Sequence, residues 1–105
     1  MRCDKVLSLL GVCAKAGNVL SGEFQTEKSV KEGKAYLVIV AQDASENTKK
    51  NFSDMCKYYK VPYAVYADKD LLGHSIGREF RASLAVVNEG LAKSLMKHLD
   101  GITTE

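Results

Sequence analysis

The sequence predicts an α/β fold: a three-layer α/β/α sandwich built on a small mixed sheet. Two patterns carry this expectation. Stretches with apolar residues at helical spacing alternate with short, continuously apolar runs rich in β-branched residues. The run Tyr36-Leu37-Val38-Ile39-Val40-Ala41 is too short for a helix of ordinary length, and it has no polar face for solvent. It therefore predicts a central strand covered on both sides. Strands that alternate with helices place the helices on the two faces of one sheet.

Taken in order, Asp4 is a candidate cap for a helix carrying Val6, Leu7, Leu10, Cys13 and Ala14 on one stripe and ending at Gly17. Gly11 inside that helix predicts the close approach of a neighbour. Val19-Leu20 has room only for a short strand. Ser21 to Gly33 follows as a short helix with marked ends, Ser21 as its cap-type residue and Gly33 at its close. A step of 100° per residue sets Phe24, Gln25, Lys28, Lys31 and Glu32 on one face, and Thr26, Ser29 and Val30 on the other. The inward face is small and weakly apolar. The outward face carries an amide, an aromatic ring and two amines beside Gly22, an unusual composition for a helix with only a structural role.

After the central strand, Gln42 to Ser45 forms an exit loop with Ser45 as the next cap. Thr48, Phe52, Met55, Cys56 and Tyr59 then form the apolar stripe of a third helix. Pro62 precedes a strand at Tyr63-Ala64-Val65-Tyr66. Asp68 or Asp70 starts a short helix with Leu71, Leu72 and Ile76 inward, interrupted by Gly73 and stopped at Gly77. The basic loop Arg78-Glu79-Phe80-Arg81 leads to a strand at Leu84-Ala85-Val86-Val87. A last helix aligns Leu91, Leu95 and Leu99 and ends at Gly101, before a loose tail.

Length and composition bound the function. The 105 residues suffice for one domain, 1–105, with a core of its own. An apolar fraction of 46% with a single proline predicts a folded chain. Cys3, Cys13 and Cys56 are an odd set without C-x-x-C spacing, which argues against a disulfide framework or a zinc site and for a reducing cytoplasm. No secretory leader or membrane-length apolar run is legible. The net charge of +2 is modest, so any nucleic-acid surface has to come from local arrangement.

Catalytic patterns do not fit. Gly17 and Gly22 have the spacing of P-loop glycines, but Glu23-Phe24 follows where Lys-Ser/Thr is required to reach phosphate and magnesium. There is no dinucleotide fingerprint, nucleophile elbow or H-E-x-x-H. His74 and His98 stand apart from other ligand-type residues, and Cys13 and Cys56 lie on apolar stripes as structural thiols. No enzyme, metal or cofactor is expected.

What remains is polar recognition. The start of the second helix offers free N–H groups and dipole potential to an anion. Lys28 and Lys31 add phosphate contacts, and Gln25 can address a base edge. Phe80 between Arg78 and Arg81 is a stacking platform with flanking charge, suited to an unstacked RNA base. These two regions, the helix start and Gly77 to Ser83, are expected to meet. The same residues also admit plainer roles: Glu27 and Lys31 as an ordinary i,i+4 pair, and Phe24 and Phe80 as anchors for a protein partner.

These segments, in their order and spacing, resemble the kink-turn-binding ribosomal-protein superfamily, above all its small bacterial YlxQ-type members. The segments are Cys13-Ala14-Lys15-Ala16-Gly17 with Ser21-Gly22, Gly22 to Lys28 with Gly33-Lys34-Ala35, Leu37 to Thr48, and Leu72-Gly73-His74-Ser75-Ile76-Gly77. The resemblance spans about Val6 to Leu99. It implies an α/β/α sandwich that binds structured RNA with a sharp bend and tandem sheared G·A pairs, associated with the ribosome or translation and with ribosomal RNA as a candidate partner. It assigns backbone admission to Gly22, guanine-edge contacts to Phe24 and Gln25, and phosphate to Lys28. The loop of Arg78, Glu79, Phe80 and Arg81 covers a flipped-out nucleotide, and Asp43 falls near a third contact region. Glu23 and Lys31 complete the expected surface, on a protein expected to be monomeric. Phe24 stands where the family usually has Asn or Lys, so a stacking ring replaces a hydrogen-bonding group. Gln25 replaces the common Glu.

Overall fold

The computed structural model describes residues 5–99. In chain order these form α1 (Lys5–Lys15), β1 (Val19–Ser21), α2 (Glu23–Lys31), β2 (Leu37–Val40), α3 (Glu46–Tyr59), β3 (Tyr63–Val65), α4 (Lys69–Ser75), β4 (Ser83–Val86) and α5 (Glu89–Met96). The four strands make one sheet in the order β1-β4-β2-β3. β2 and β3 are parallel, with Val38 opposite Tyr63, whereas β4 runs antiparallel to both of its neighbours, β1 and β2. The sheet is therefore mixed, as expected, and β2 is an interior strand buried along its whole length.

Strand alternation sorts the core into two layers. Leu37, Ile39, Leu84 and Val86 pack with Val6, Leu10 and Cys13 of α1, Leu72 of α4, and Ala92 and Leu95 of α5. Val38, Val40 and Ala85 face the other way, toward Val30 of α2 and Phe52 and Cys56 of α3. Helices thus cover both faces of the sheet, three on one side and two on the other.

Caps follow their local chemistry. The Ser45 hydroxyl accepts from the Thr48 N–H at 3.1 Å, Asp68 from the Leu71 N–H at 2.8 Å, and Asn88 from the Leu91 N–H at 3.0 Å. Asp68, not Asp70, starts α4. Five expectations are corrected. Ser21 is not a cap: it is the last residue of β1, opposite Leu84, and α2 begins after Gly22, which has no side-chain cap. The central strand stops short of Tyr36, which is exposed. Leu71 points outward, because seven residues of α4 turn only the Leu72–Gly73 side to the core. Tyr59 emerges from the α3 stripe half-exposed at the helix end. The strand placed at 84–87 lies one residue earlier. The Asp4 cap, Cys3, the Gly101 stop and the tail fall outside the described residues.

Two glycines allow helices to meet backbone. At Gly11 a Cβ would sit 2.9 Å from the Ser75 carbonyl oxygen, which is the close approach expected of that position. At Gly73 a Cβ would collide with the Glu79 carbonyl, so the segment after α4 folds directly onto the helix. That segment is held by main-chain bonds, from the Arg78 N–H to the Gly73 carbonyl at 2.8 Å and from the Arg81 N–H to the Lys69 carbonyl at 3.1 Å. Gly73→Ala is expected to cost about 1–3 kcal/mol of stability, as overpacking does. It should also speed amide exchange at Arg78 and Arg81 while sparing the β2 ladder. Unchanged exchange at those two amides would refute the contact.

Burial pushes the Cys13 thiol up, and burial pushes the Cys56 thiol up to about 12. Below the unfolded thiol value of about 8.5 neither state ionises, and above it only the unfolded chain does. Stability from Cys56 is therefore intact below that pH and is lost as pH rises toward 12, by up to about 1.4 kcal/mol per pH unit. In denaturant titrations between about pH 8.5 and 10, Cys56→Ala should flatten this decline relative to the unmodified protein. Equal slopes would exclude it.

Candidate nucleic-acid interface

The sheet order brings the two regions together. Because β4 runs antiparallel beside β1, the end of β1 adjoins the start of β4: Ser21 is opposite Leu84, and the Gly22 N–H donates to the Ser83 carbonyl at 3.1 Å. The start of α2 therefore lies against the segment that delivers the chain into β4. The Arg81 side chain closes the junction, its Nε donating to the Ser21 hydroxyl at 3.0 Å and a terminal nitrogen to the Phe80 carbonyl at 2.8 Å.

Gly22 has φ 92° and ψ 156°, a conformation that side chains with a Cβ rarely adopt, and open space lies where a Cβ would stand. The residue is dictated by the backbone as much as by access, so a substitution there acts on folding as well as on any ligand. No side chain caps α2, which leaves its first N–H groups free for an anion. Thr26, Ser29 and Val30 are buried as the helical wheel predicts, and Phe24, Gln25 and Lys28 are exposed. Phe24 is 72% and Phe80 66% exposed, too much for either ring to be a packing residue.

The two lysines of α2 differ. Lys31 donates to Glu27 at 2.7 Å, and this bond with the Glu27 charge holds its amine above the usual lysine range. Lys28 has no ion pair among the described residues. Between the two regions a hollow of about 220 Å³ is lined by Ser21, Gln25, Ile76 and Arg78 among others, joining the α2 face to the loop. A larger hollow of about 650 Å³ lies among His74, Gly77, Arg78, Glu79 and Arg81. A third, of about 350 Å³, runs along Phe24, Glu27, Lys28, Lys31 and Glu32.

Asp43 sits at the exit of β2, and its carboxylate accepts from the Lys69 N–H at 2.9 Å. The Lys69 carbonyl accepts from the Arg81 N–H, and Arg81 reaches Ser21. One relay, Asp43–Lys69–Arg81–Ser21, thus ties together the three regions singled out in the sequence. Glu23 and Glu79 are exposed at the margin. Sequence reasoning missed Lys69, whose part is played by its backbone across 26 residues, and took Gly73 only as an interruption. A glycine inside a short helix just ahead of a basic loop was the available signal for close backbone packing. Among the described residues no group of three or more His, Cys, Asp or Glu stands close enough to hold a metal ion.

Comparison with known proteins places this architecture. The solved structure of a protein of unknown function from Bacillus halodurans superposes with a TM-score of 0.89 at 38% identity, covering 91% of this chain and 97% of that one. The Giardia lamblia 15.5kD RNA binding protein shares the fold, with a TM-score of 0.80 at 21% identity over 95% of this chain and 92% of its own. In sequence, the RNA-binding protein YlxQ of Bacillus subtilis (strain 168) is 44% identical over 92 residues, which is 88% of this chain and 92% of that protein. YlxQ of Enterococcus faecium is 35% identical over 99 residues, 93% and 94% of the two chains. The family model described as "Ribosomal protein L7Ae/L30e/S12e/Gadd45 family" matches residues 4–96. By that match and by its kinship with the YlxQ proteins, this chain belongs to the L7Ae/L30e/S12e/Gadd45 family.

Proposed function

We propose that this protein is a non-catalytic, single-domain RNA-binding protein of the cytoplasm. It acts as a monomer on structured, kink-turn-like RNA associated with the ribosome or translation, with ribosomal RNA the leading candidate. The carrying observation is the uncapped start of α2 at Gly22 joined through Arg81 to an exposed aromatic–basic loop. The YlxQ relatives, described as RNA-binding proteins, support the same reading.

Each residue then has a physical part. Gly22 and the first N–H groups of α2 receive an RNA phosphate. Phe24 stacks on a base, Gln25 meets a base edge, and Lys28, free of any carboxylate among the described residues, grips phosphate. Lys31 contributes less, because contact with phosphate has to break its bond to Glu27. Arg78, Phe80 and Arg81 hold an unstacked base between ring and guanidinium. Glu23 and Glu79 repel phosphate at the margin and accept from base amino groups. Asp43 acts through Lys69, fixing where the loop lies.

The test compares a duplex containing a kink-turn with an unbent duplex of equal length, titrated across salt. Preference for the bent RNA and a steep salt dependence are expected. Lys28→Ala should lower the salt slope by about 0.7–0.9, and Lys31→Ala should lower it less. Phe24→Ala should cost about 1–3 kcal/mol of binding through lost stacking. Equal, salt-indifferent binding to both duplexes would defeat the proposal and leave Phe24 and Phe80 as anchors for a protein.

A further inference from the structure

α2 joins the end of β1 to the start of β2, and α3 joins the end of β2 to the start of β3. β1, β2 and β3 all run the same way, so both helices descend from the Gly22 end of the sheet and finish side by side at the other. Three of the chain's five tyrosines gather at that far end and stay exposed: Tyr36 at 41%, Tyr58 at 79% and Tyr59 at 41%. By strand alternation Tyr36 is on the side of Val38 and Val40, the side that α2 and α3 cover. The rings of Tyr58 and Tyr59 meet edge to face, with centroids 4.9 Å apart and planes at 80°, an arrangement in which each fixes the other.

Amines stand beside these rings, and the nearest carboxylate on α3, Asp54 one turn before Tyr58, is already paired with Lys50. Lys57 and Lys60 flank the tyrosine pair in the chain and have no carboxylate partner among the described residues. Lys31, whose amine is raised first by its bond to Glu27 and the Glu27 charge and last by Tyr59, ends α2 beside them. Exposed rings interleaved with unpaired amines match a single strand of nucleic acid, which offers base faces and phosphates in alternation. The hollow lined by Phe24, Glu27, Lys28, Lys31 and Glu32 runs along α2 toward the same end.

Resting on the RNA-binding function proposed above, we propose that the far end of the α2–α3 layer is a second RNA contact. Unpaired bases of a strand running on from the bent element stack on Tyr58 and Tyr59, while Lys57 and Lys60 meet its phosphates. The length of α2 sets the distance. Its nine residues span about 13.5 Å at 1.5 Å each, roughly four base steps of 3.4 Å.

The experiment measures affinity for the kink-turn duplex with blunt ends and with a tail of about eight uridines, placed on each strand in turn, enough to pass those roughly four base steps. One tailed form should bind on the order of tenfold tighter than the blunt form. The double variant Tyr58→Ala/Tyr59→Ala should lose that gain and bind the blunt duplex unchanged. Tyr58→Phe/Tyr59→Phe, which keeps the rings, should retain it. No gain on either strand, a gain that survives the alanine variant, or an equal loss on blunt and tailed RNA would overturn the second contact while leaving the first in place. Failure of the unmodified protein to bind the blunt duplex would remove both.

Discussion

The antiparallel insertion of β4 between β1 and β2 is the constraint on which the rest of the molecule depends. Had β4 joined at the free edge of β3, the start of α2 and the segment after α4 would have opened on different parts of the surface. Between β1 and β2 it has to begin where β1 ends, and the Gly22–Ser83 bond is the direct result. The buried alternation of Leu84, Ala85 and Val86 fixes this register, because a one-residue slip would turn Leu84 and Val86 away from their core. A position dictated by core packing thus determines which exposed groups stand together.

Against that firm sheet, α2 is a lightly held helix. Its buried side is Thr26, Ser29 and Val30, and among the described residues the Thr26 hydroxyl has no hydrogen-bond partner, nor has that of Ser83 on the strand beneath. Each buried, unpaired hydroxyl costs roughly 1–3 kcal/mol. The helix also starts from a conformation reserved for glycine and has no side-chain cap. α3, by contrast, has the Ser45 cap and the large buried ring of Phe52 beside the buried Cys56. Concessions gathered in one short element, with its outward face polar and aromatic, are the pattern expected where a surface serves binding before stability.

Most of the architecture was legible because periodicity reports burial. The stripe of α3, the inward face of α2 and the buried run at Leu37–Val40 are local patterns that survive into three dimensions. The expected meeting of the helix start and the basic loop also holds. What local pattern could not supply was hydrogen bonding at long range. Ser21 looks like a cap and serves instead as strand end and acceptor for Arg81, a partner 60 residues away. Asp43, expected in the exit loop near a third contact region, holds the start of α4. Leu71 looks like core, yet α4 is too short to turn more than one side inward. For Ser21 and Asp43 a distant partner decided between local options of similar merit.

The loop of residues 78–81 owes its position almost wholly to main-chain atoms: two N–H groups on α4 carbonyls and one carbonyl lying on Gly73. Among the described residues only Arg81 adds a side-chain hydrogen bond that anchors it. The other three side chains are therefore passengers on a fixed track. Side chains at 78–80 can therefore be exchanged, charge for ring or ring for amide, without relocating the loop. A fold built in this way can acquire new targets by swapping its fingertips while the hand stays still.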